Sequence, residues 1–298
     1  MTTELALGTH HCEDIPRAAA HAVARGASWI DTAPNYRAGL AHPQLAPVLA
    51  EHPQVKVSTK TGFFGKDEAA AAVAEGILTE HQAPAGHSLA PEFLRWQTNR
   101  SLACLGRADI VFVHNPEHAR LDRAQLHQGL RDAFAVLEEY AHAGHIGAYG
   151  VATWSGLDTA EFSVTELLTL AREAAGGQHH LRAVQLPVSL VTARPISLAL
   201  DGRGPLVQAR AAGLDAFASS PLHGGQLPGL VTPELAELIE AGLAPTQAAL
   251  RIVASTPGVT RVLLGTHNPA HWDAARQTLA RDPLPPSTLR KVLDVLGT

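Results

Sequence analysis

Residues 109–116 of the chain have the sequence DIVFVHNP, a short run of apolar and mostly branched side chains that ends in a polar histidine. An apolar run of this length next to turn signals predicts a buried β-strand. This predicted strand follows residues 91–105, which have helical periodicity. Gly106 comes directly after them, and a glycine at that position is typical of a helix C-terminus. The stretch is therefore one helix and one strand of a longer pattern.

The same alternation of apolar runs and helical segments extends over the whole sequence. Predicted strands cover residues 5–8, 28–31, 55–59, 109–114, 148–152, 183–186, 215–218 and 261–264. Predicted helices cover residues 15–25, 43–51, 91–105, 124–143, 164–174, 205–212, 246–254 and 269–280. Eight such units predict an α/β fold, a (β/α)8 TIM barrel, in which residues 1–298 form a single domain. Irregular stretches at 62–90, 155–163 and 222–232 follow strand ends, where barrel enzymes carry active-site loops.

The main structural alternative is an open, doubly wound sheet. In its nucleotide-binding form, the first strand is followed by a glycine-rich turn that approaches a pyrophosphate. Here the first strand is followed by Gly8-Thr9-His10-His11, which lacks that pattern. The sequence therefore favours the closed barrel.

Composition restricts the classes of partner and location. The chain has 298 residues, of which 46% are hydrophobic and 17% are charged, and its net charge is −5. No basic cluster tracks a phosphate backbone, so we expect no nucleic acid partner. No uncharged apolar run approaches the roughly 18 residues of a membrane helix, so we expect no membrane contact and a cytoplasmic protein. Cys12 and Cys104 lack the spacing of a disulfide framework or metal motif, and no obligate protein partner is evident.

Three ionisable residues end neighbouring predicted strands. Asp31, Lys60 and His114 lie at the carboxyl ends of strands two, three and four. A charged group beside a barrel core is costly unless it is paired, so Asp31 and Lys60 are predicted to form an ion pair. Such a pair is consistent with a purely structural role as well as with catalysis.

Tyr36 lies five residues after Asp31, in a loop that can fold back over the barrel mouth. A phenol beside the Lys60 ammonium would have its pKa lowered from about 10, which would make it a general acid near neutral pH. The alternative is that Tyr36 only packs on the barrel rim. His114 is predicted to hydrogen-bond a substrate oxygen from the other side of the mouth, although a structural histidine is equally compatible with the sequence.

Together these segments resemble the aldo-keto reductase family. The resemblance rests on LGT at 7–9, DTAPNY at 31–36, STK at 58–60, HNP at 114–116, GHIGAYGV at 144–151 and ASSPL at 218–222. It implies that Tyr36 donates the proton, that Lys60 lowers its pKa and that Asp31 anchors Lys60. It also implies that His114 orients a substrate carbonyl, and that a nicotinamide cofactor, usually NADPH, supplies a hydride. The use of NADH remains open.

The resemblance further implies a set of cofactor contacts. They are Thr153, Gln185, Ser219, Ser220, Pro221, Leu222, Gly265, Thr266, His267 and His271. At the nicotinamide end, the usual serine-asparagine pair is replaced by Ala152-Thr153, and the usual stacking aromatic residue is replaced by Ser219. The glutamine on strand six is kept as Gln185.

At the adenosine end, Gly265-Thr266 precedes a helix whose free N–H groups can receive a phosphate. The basic residues that the family uses for the 2′-phosphate are replaced by His267 and His271. A neutral imidazole is a poor substitute for a guanidinium, although Arg276 lies nearby. The sequence therefore predicts weakened or altered dinucleotide binding.

Two other functions remain open at this point. A metal-dependent hydrolase would use the abundant histidines, but His10 and His11 are adjacent and are predicted to point to opposite faces of a strand, so both cannot bind one ion. A lyase, cyclase or binding protein would keep the acid-base residues without hydride transfer.

The predicted substrate is a small carbonyl compound. Aromatic residues in the predicted active-site loops suggest that it is aromatic or apolar: Phe63, Phe64, Trp96 and Trp154. Trp96 lies on an amphipathic helix and is also compatible with a place in the core.

Overall fold

The strands of the protein form a closed parallel barrel. In the computed structural model, which describes residues 3–297, each strand pairs with the next in sequence and the eighth pairs with the first. The strands are β1 (Glu4–Gly8), β2 (Trp29–Asp31), β3 (Lys56–Thr61), β4 (Ala108–His114), β5 (Ile146–Ala152), β6 (Leu181–Pro187), β7 (Asp215–Ser219) and β8 (Arg261–Leu264). The predicted (β/α)8 barrel is confirmed, and the ends of the predicted strands differ from these by at most two residues.

Helices surround the barrel. They are α1 (Ile15–Ala24), α2 (Ala41–Glu51), α3 (Lys66–Ala74), α4 (Pro91–Leu105), α5 (Arg123–His142), α6 (Val164–Ala175), α7 (Arg194–Leu200), α8 (Pro205–Ala211), α9 (Pro233–Ile239), α10 (Pro245–Ala254), α11 (Pro269–Leu279) and α12 (Pro286–Leu296). Within the described residues, no helix is both long and apolar enough to span a membrane.

Four of these helices, α3, α7, α9 and α12, were not predicted. Helix α3 lies inside the stretch 62–90 that the sequence pattern assigns to an irregular loop. Its sequence, KDEAAAAVA, is rich in alanine and has no apolar stripe, so its periodicity is weak although its helix propensity is high. Three of the four have no more than nine residues, which leaves few turns in which a period of 3.6 can be detected.

Three aromatic rings pack in the barrel interior among alanine and aliphatic side chains. The ring of Phe217 packs edge-on against Trp29 and Phe112, with ring centres 5.5 and 5.4 Å apart. Gly150 makes room for this packing, because a Cβ there would lie 2.6 Å from the Phe112 ring and 2.5 Å from a backbone oxygen of β6. The interior is therefore a packed core, and the side chains that point inward at the carboxyl ends of the strands face the barrel mouth.

Candidate active site

The three ionisable residues at the ends of β2, β3 and β4 come together at the carboxyl end of the barrel. Asp31 and Lys60 are 3% and 2% exposed, and His114 is 7% exposed. The predicted ion pair is present, with 2.6 Å between Lys60 Nζ and Asp31 Oδ2. Asp31 is in register with Ser58 and Lys60 with Phe112, so each polar residue lies two positions beyond the partner of the one before it, at the carboxyl end that the parallel strands share.

Hydrogen bonds hold the ion pair from both ends. Lys60 Nζ also donates to the carbonyl oxygen of Thr32 at 3.0 Å. The other carboxylate oxygen of Asp31 accepts from Ser58 Oγ at 2.7 Å, and that hydroxyl accepts from Trp29 Nε1 at 3.0 Å. A buried pair with its remaining donors and acceptors satisfied avoids most of the penalty of unpaired buried charge. The ammonium is therefore fixed in position.

Tyr36 lies over this ammonium. It follows the loop after β2, and Lys60 Nζ is 5.0 Å from the centre of its ring. Burial raises the pKa of the Tyr36 phenol, and the charge of Asp31 adds to this, while Lys60 acts in the opposite direction. The net direction is opposite to the predicted lowering, because desolvation of a phenolate outweighs the attraction of an ammonium already paired with Asp31. Tyr36 therefore carries its proton at neutral pH.

Lys60 stays charged in spite of its burial. Desolvation acts to lower its pKa, but the nearby Asp31 carboxylate and the Tyr36 phenol outweigh it, and the pKa of Lys60 is raised. An ammonium that persists at neutral pH can stabilise negative charge on the phenolic oxygen. A buried ammonium beside a protonated phenol is compatible with proton donation by that phenol.

His114 faces the same space. Its ring centre lies 6.1 Å from that of Tyr36, at an interplanar angle of 80°. Burial, followed by the positive charge of Lys60, holds its pKa well below the usual range, so the imidazole is neutral. Its Nδ1 is buried and has no hydrogen-bond partner within the described chain. A neutral imidazole can donate one hydrogen bond to a substrate oxygen.

A cleft of about 710 Å³ extends from these residues across the barrel mouth. Seven of the ten predicted cofactor residues line it: Thr153, Gln185, Ser219, Ser220, Pro221, Leu222 and Gly265. The other three do not line it: Thr266, His267 and His271. Those three lie farther along, in the turn before α11 and in its first turn.

Gln185 offers an open acceptor in this cleft. Its Nε2 donates to Asp31 Oδ2 at 3.3 Å, which orients the amide. Its Oε1 is buried and has no partner within the described residues. A buried unpartnered acceptor is costly, and the amide N–H of a carboxamide would satisfy it. The nicotinamide end of a dinucleotide therefore fits the donor and acceptor pattern here.

Glu117 is a residue of the site that the sequence analysis missed. One oxygen of its carboxylate accepts hydrogen bonds from the Thr153 hydroxyl at 2.8 Å and from the backbone N–H groups of Trp154 and Ser155 at 2.7 and 3.0 Å. Thr153 and Trp154 line the cleft. Glu117 therefore fixes the turn after β5, and its place directly after the HNP motif was the available signal.

The turn before α11 is more exposed to solvent than the Asp31–Lys60 ion pair. Asn268 caps the helix by accepting from the Ala270 N–H at 2.9 Å, and the Thr266 hydroxyl accepts from the Asn268 N–H at 3.2 Å. His267 Nε2 lies 3.8 Å from Glu13 Oε2, and both side chains are exposed. The helix N-terminus can receive a phosphate, but a carboxylate stands beside the residue predicted to bind it. The adenosine end therefore fits less well than the nicotinamide end.

His10 and His11 both line the cleft, which corrects the prediction that they point to opposite faces. Their ring centres are 3.9 Å apart. Strand β1 ends at Gly8, and His11 has a positive φ of 57°, so the alternation of a strand no longer applies. Residues 3–297 nevertheless contain no cluster of three or more potential ligands that could hold a metal ion.

The aromatic residues named from the sequence separate into two groups. Phe63 and Trp154 line the cleft. Phe64 and Trp96 are 3% and 8% exposed and belong to the core outside the barrel. The walls of the cleft are consequently less aromatic than the sequence suggested.

Several residues on the cleft rim adopt an unusual backbone conformation. His11, Asn115, Ser220 and His223 line the cleft and have φ values between 47° and 57°. Residues with side chains adopt this left-handed region at a cost, and such residues often cluster at functional sites. The rim is therefore held in shape by the surrounding structure.

Known proteins resemble this chain in sequence pattern and in fold. The sequence model of the aldo/keto reductase family matches residues 5–295. No curated protein matches the sequence. The glycerol dehydrogenase AKR11B4 from Gluconobacter oxydans shares 20% identity and a TM-score of 0.73, over 99% of this chain and 92% of that chain. The aldo-keto reductase AKR11C1 from Bacillus halodurans, in its holo form, shares 16% identity and a TM-score of 0.70 over the same fractions. At these identities the structures show a common fold.

Proposed function

Because the chain belongs to the aldo/keto reductase family, we propose that it reduces an aldehyde or ketone to an alcohol, with Tyr36 as the general acid. Family membership makes the protein an NAD(P)H-dependent oxidoreductase that acts on small carbonyl compounds. The observation that carries the finer proposal is the protonated Tyr36 phenol, held over the Lys60–Asp31 ion pair at the mouth of the cleft.

The proposed reaction needs a substrate carbonyl between Tyr36 and His114. His114 donates a hydrogen bond to the carbonyl oxygen, which orients the group and polarises it. When bound, the reduced nicotinamide supplies a hydride to the carbonyl carbon. Tyr36 gives its proton to the oxygen as negative charge develops there, and Lys60 stabilises the resulting phenolate. Asp31 holds Lys60 in place throughout.

Seven residues are proposed to hold the nicotinamide and the adjoining part of the cofactor: Thr153, Gln185, Ser219, Ser220, Pro221, Leu222 and Gly265. Their position along the cleft and the open Gln185 acceptor support this assignment. Thr266, His267 and His271 are proposed to contact the adenosine phosphate. NADPH is the preferred form in this proposal, and we expect its dissociation constant to exceed 1 μM because Glu13 lies beside His267.

A single substitution tests the proposed acid. Tyr36→Phe removes the donated proton and is expected to lower kcat by about 10²–10⁴-fold in a cofactor-absorbance assay over a panel of carbonyl compounds. Cofactor affinity, measured by fluorescence titration, should change little. Tyr140→Phe is the matched control, because that hydroxyl bonds Asn99 and the Arg95 carbonyl on the outer helices.

Unchanged turnover in Tyr36→Phe would refute the assigned acid. A cofactor labelled with deuterium at the transferred position separates reduction from a lyase or cyclase reaction. The label must appear on the former carbonyl carbon of the product if the protein is a reductase.

A further inference from the structure

A second pocket lies at the amino end of the barrel, opposite the cleft. We call it the amino-end pocket. It has a volume of about 620 Å³ and is formed by the end of α6, the start of β6 and the segment between α8 and β7. Its basic side chains are those of Arg172, His179, His180 and Arg182. None of the described residues that line this pocket also lines the cleft. It is therefore a separate site.

The two guanidiniums of the pocket have no carboxylate partner. Within residues 3–297, neither Arg172 nor Arg182 forms an ion pair. The neighbouring carboxylates are paired elsewhere, at 2.6 to 2.7 Å, in Glu138–His180, Glu173–Arg131 and Asp215–Arg261. The chain as a whole has a net charge of −5. The pocket therefore carries two uncompensated positive charges on a protein that is negative overall.

A shift of register in the sheet singles out Arg182. Tyr149 of β5 is in register with Leu181, and the next residue, Gly150, is in register with Ala183. Arg182 therefore has no partner on β5. An extra residue of this kind aims its side chain differently from regular strand residues, and such bulges are frequent next to functional sites. The Arg182 guanidinium donates to the Leu181 carbonyl oxygen at 3.0 Å, which leaves its other N–H groups for a ligand.

His179 adds an open polar atom to the pocket. Its Nδ1 is buried and has no hydrogen-bond partner among the described residues. Burial, followed by the charges of Arg182 and Arg172, lowers the pKa of this imidazole, while Glu138 acts in the opposite direction. Both guanidiniums therefore lie close enough to act on the ring. A neutral imidazole carries one N–H group, which can bind an anionic oxygen.

The end of helix α6 does not cancel these charges. A helix C-terminus carries about half of a negative charge, compared with one full positive charge on each guanidinium. Two of its last carbonyl oxygens already accept hydrogen bonds, from the N–H groups of Gly176 and Gly177 at 3.4 and 3.0 Å. The guanidiniums are therefore not needed to satisfy those carbonyl oxygens.

We propose that the amino-end pocket binds a phosphate group, either as inorganic phosphate or as the monoester of a small molecule. Arg172 and Arg182 bind its oxygen atoms through charge-assisted hydrogen bonds, and His179 donates a further one. Leu168, Ala212 and Leu214 form an apolar wall beside these groups, which can receive the carbon part of an ester. The site is independent of the proposed reductase function.

Calorimetric titration at low ionic strength tests the proposal. Inorganic phosphate is expected to bind with a dissociation constant of about 1 mM or below. Phenyl phosphate compares the two sources of the ligand, because its ring can cover the apolar wall. Tighter binding of phenyl phosphate would identify an ester as the ligand, and tighter binding of inorganic phosphate would identify free phosphate. The absence of saturation below about 10 mM with both would overturn the proposal.

Substitutions locate the bound phosphate. Arg172→Met and Arg182→Met should each raise the dissociation constant by about tenfold or more. Both side chains are exposed, so circular dichroism should show that the variants fold normally. Arg120→Met is the matched control, because Arg120 is also exposed and lies in the loop after β4 at the other end of the barrel. Unchanged affinity in both site variants would overturn the assignment.

Two measurements separate this site from the proposed cofactor site. Saturating NADPH should leave the affinity for phosphate unchanged, and so should His267→Leu. If phosphate is displaced by NADPH, or if its affinity falls in His267→Leu but not in Arg172→Met, the phosphate binds in the cleft and the proposal is wrong. An NMR titration should also show that phosphate raises the pKa of His179, because a bound anion stabilises the imidazolium. An unchanged pKa at saturating phosphate would exclude His179 from the site.

Discussion

The Asp31–Lys60–Tyr36 cluster and the turn between β8 and α11 lie at the same end of the barrel but are built differently. In the cluster, the ion pair is buried and held by hydrogen bonds from three strands. In the turn, Thr266 and Asn268 each accept a hydrogen bond from the backbone N–H two residues ahead, and His267 is exposed beside Glu13. Strand ends are positioned by the whole barrel, whereas a turn is positioned by its neighbours. Substitutions in the cluster should therefore have large effects on stability, and substitutions in the turn should have small effects on cofactor affinity.

The largest expected effect is on stability when the ion pair is broken. Lys60→Met leaves the buried Asp31 carboxylate without its partner, and this should lower the free energy of unfolding by about 3–5 kcal/mol. Urea denaturation followed by circular dichroism measures the change. The double variant Lys60→Met with Asp31→Leu should recover part of the loss, because no unpaired charge remains.

Lys66→Met is the matched control for this experiment. Lys66 is exposed at the start of α3, so its replacement should change the free energy of unfolding by no more than about 0.5 kcal/mol. If Lys60→Met lowers the free energy of unfolding by less than about 1 kcal/mol, the ion pair does not make the cluster more rigid than the turn.

An intermediate effect is expected for Glu117, whose carboxylate anchors the turn after β5. Glu117→Ala removes the acceptor of three hydrogen bonds and should weaken cofactor binding by about tenfold in a fluorescence titration. Glu117→Gln retains one carbonyl acceptor and should recover most of the affinity. Equal affinity in Glu117→Ala and the parent protein would mean that this turn does not contact the cofactor.

The smallest effect is expected at the turn before α11. His267→Arg introduces a guanidinium near the proposed phosphate position and should raise the affinity for NADPH relative to NADH by about fivefold. Glu13→Gln removes the neighbouring carboxylate and should shift the ratio in the same direction by a smaller factor. Calorimetric titration with both cofactors gives the ratio. If the ratio of NADPH to NADH affinity is unchanged in both variants, the 2′-phosphate binds away from His267 and Glu13.

Much of the architecture was predictable because it depends on local patterns that repeat. The eight apolar runs predict the strands, and parallel strands in a closed barrel bring their carboxyl ends together. The pairing of Asp31 with Lys60 followed from that placement and from the cost of an unpaired buried charge. The short helices α7 and α9 were missed because they contain too few turns to display a period.

The features that could not be predicted depend on contacts between distant segments. Glu117 anchors a turn more than thirty residues away, and although it directly follows the HNP motif, that motif does not indicate which turn it contacts. His10 and His11 face one cleft because the backbone leaves the strand conformation before them. The pKa of Tyr36 is raised because the balance of burial and charge depends on how deeply the loop folds over the ion pair.

The sequence alone therefore determined the barrel, the order of its strands and their ends to within two residues, because hydrophobic periodicity acts over a few neighbouring residues. Only the tertiary structure decided which side chains share the cleft, which of them keep their protons and which polar atoms remain open to a ligand. Those properties depend on desolvation and on charges brought together from segments far apart in the chain.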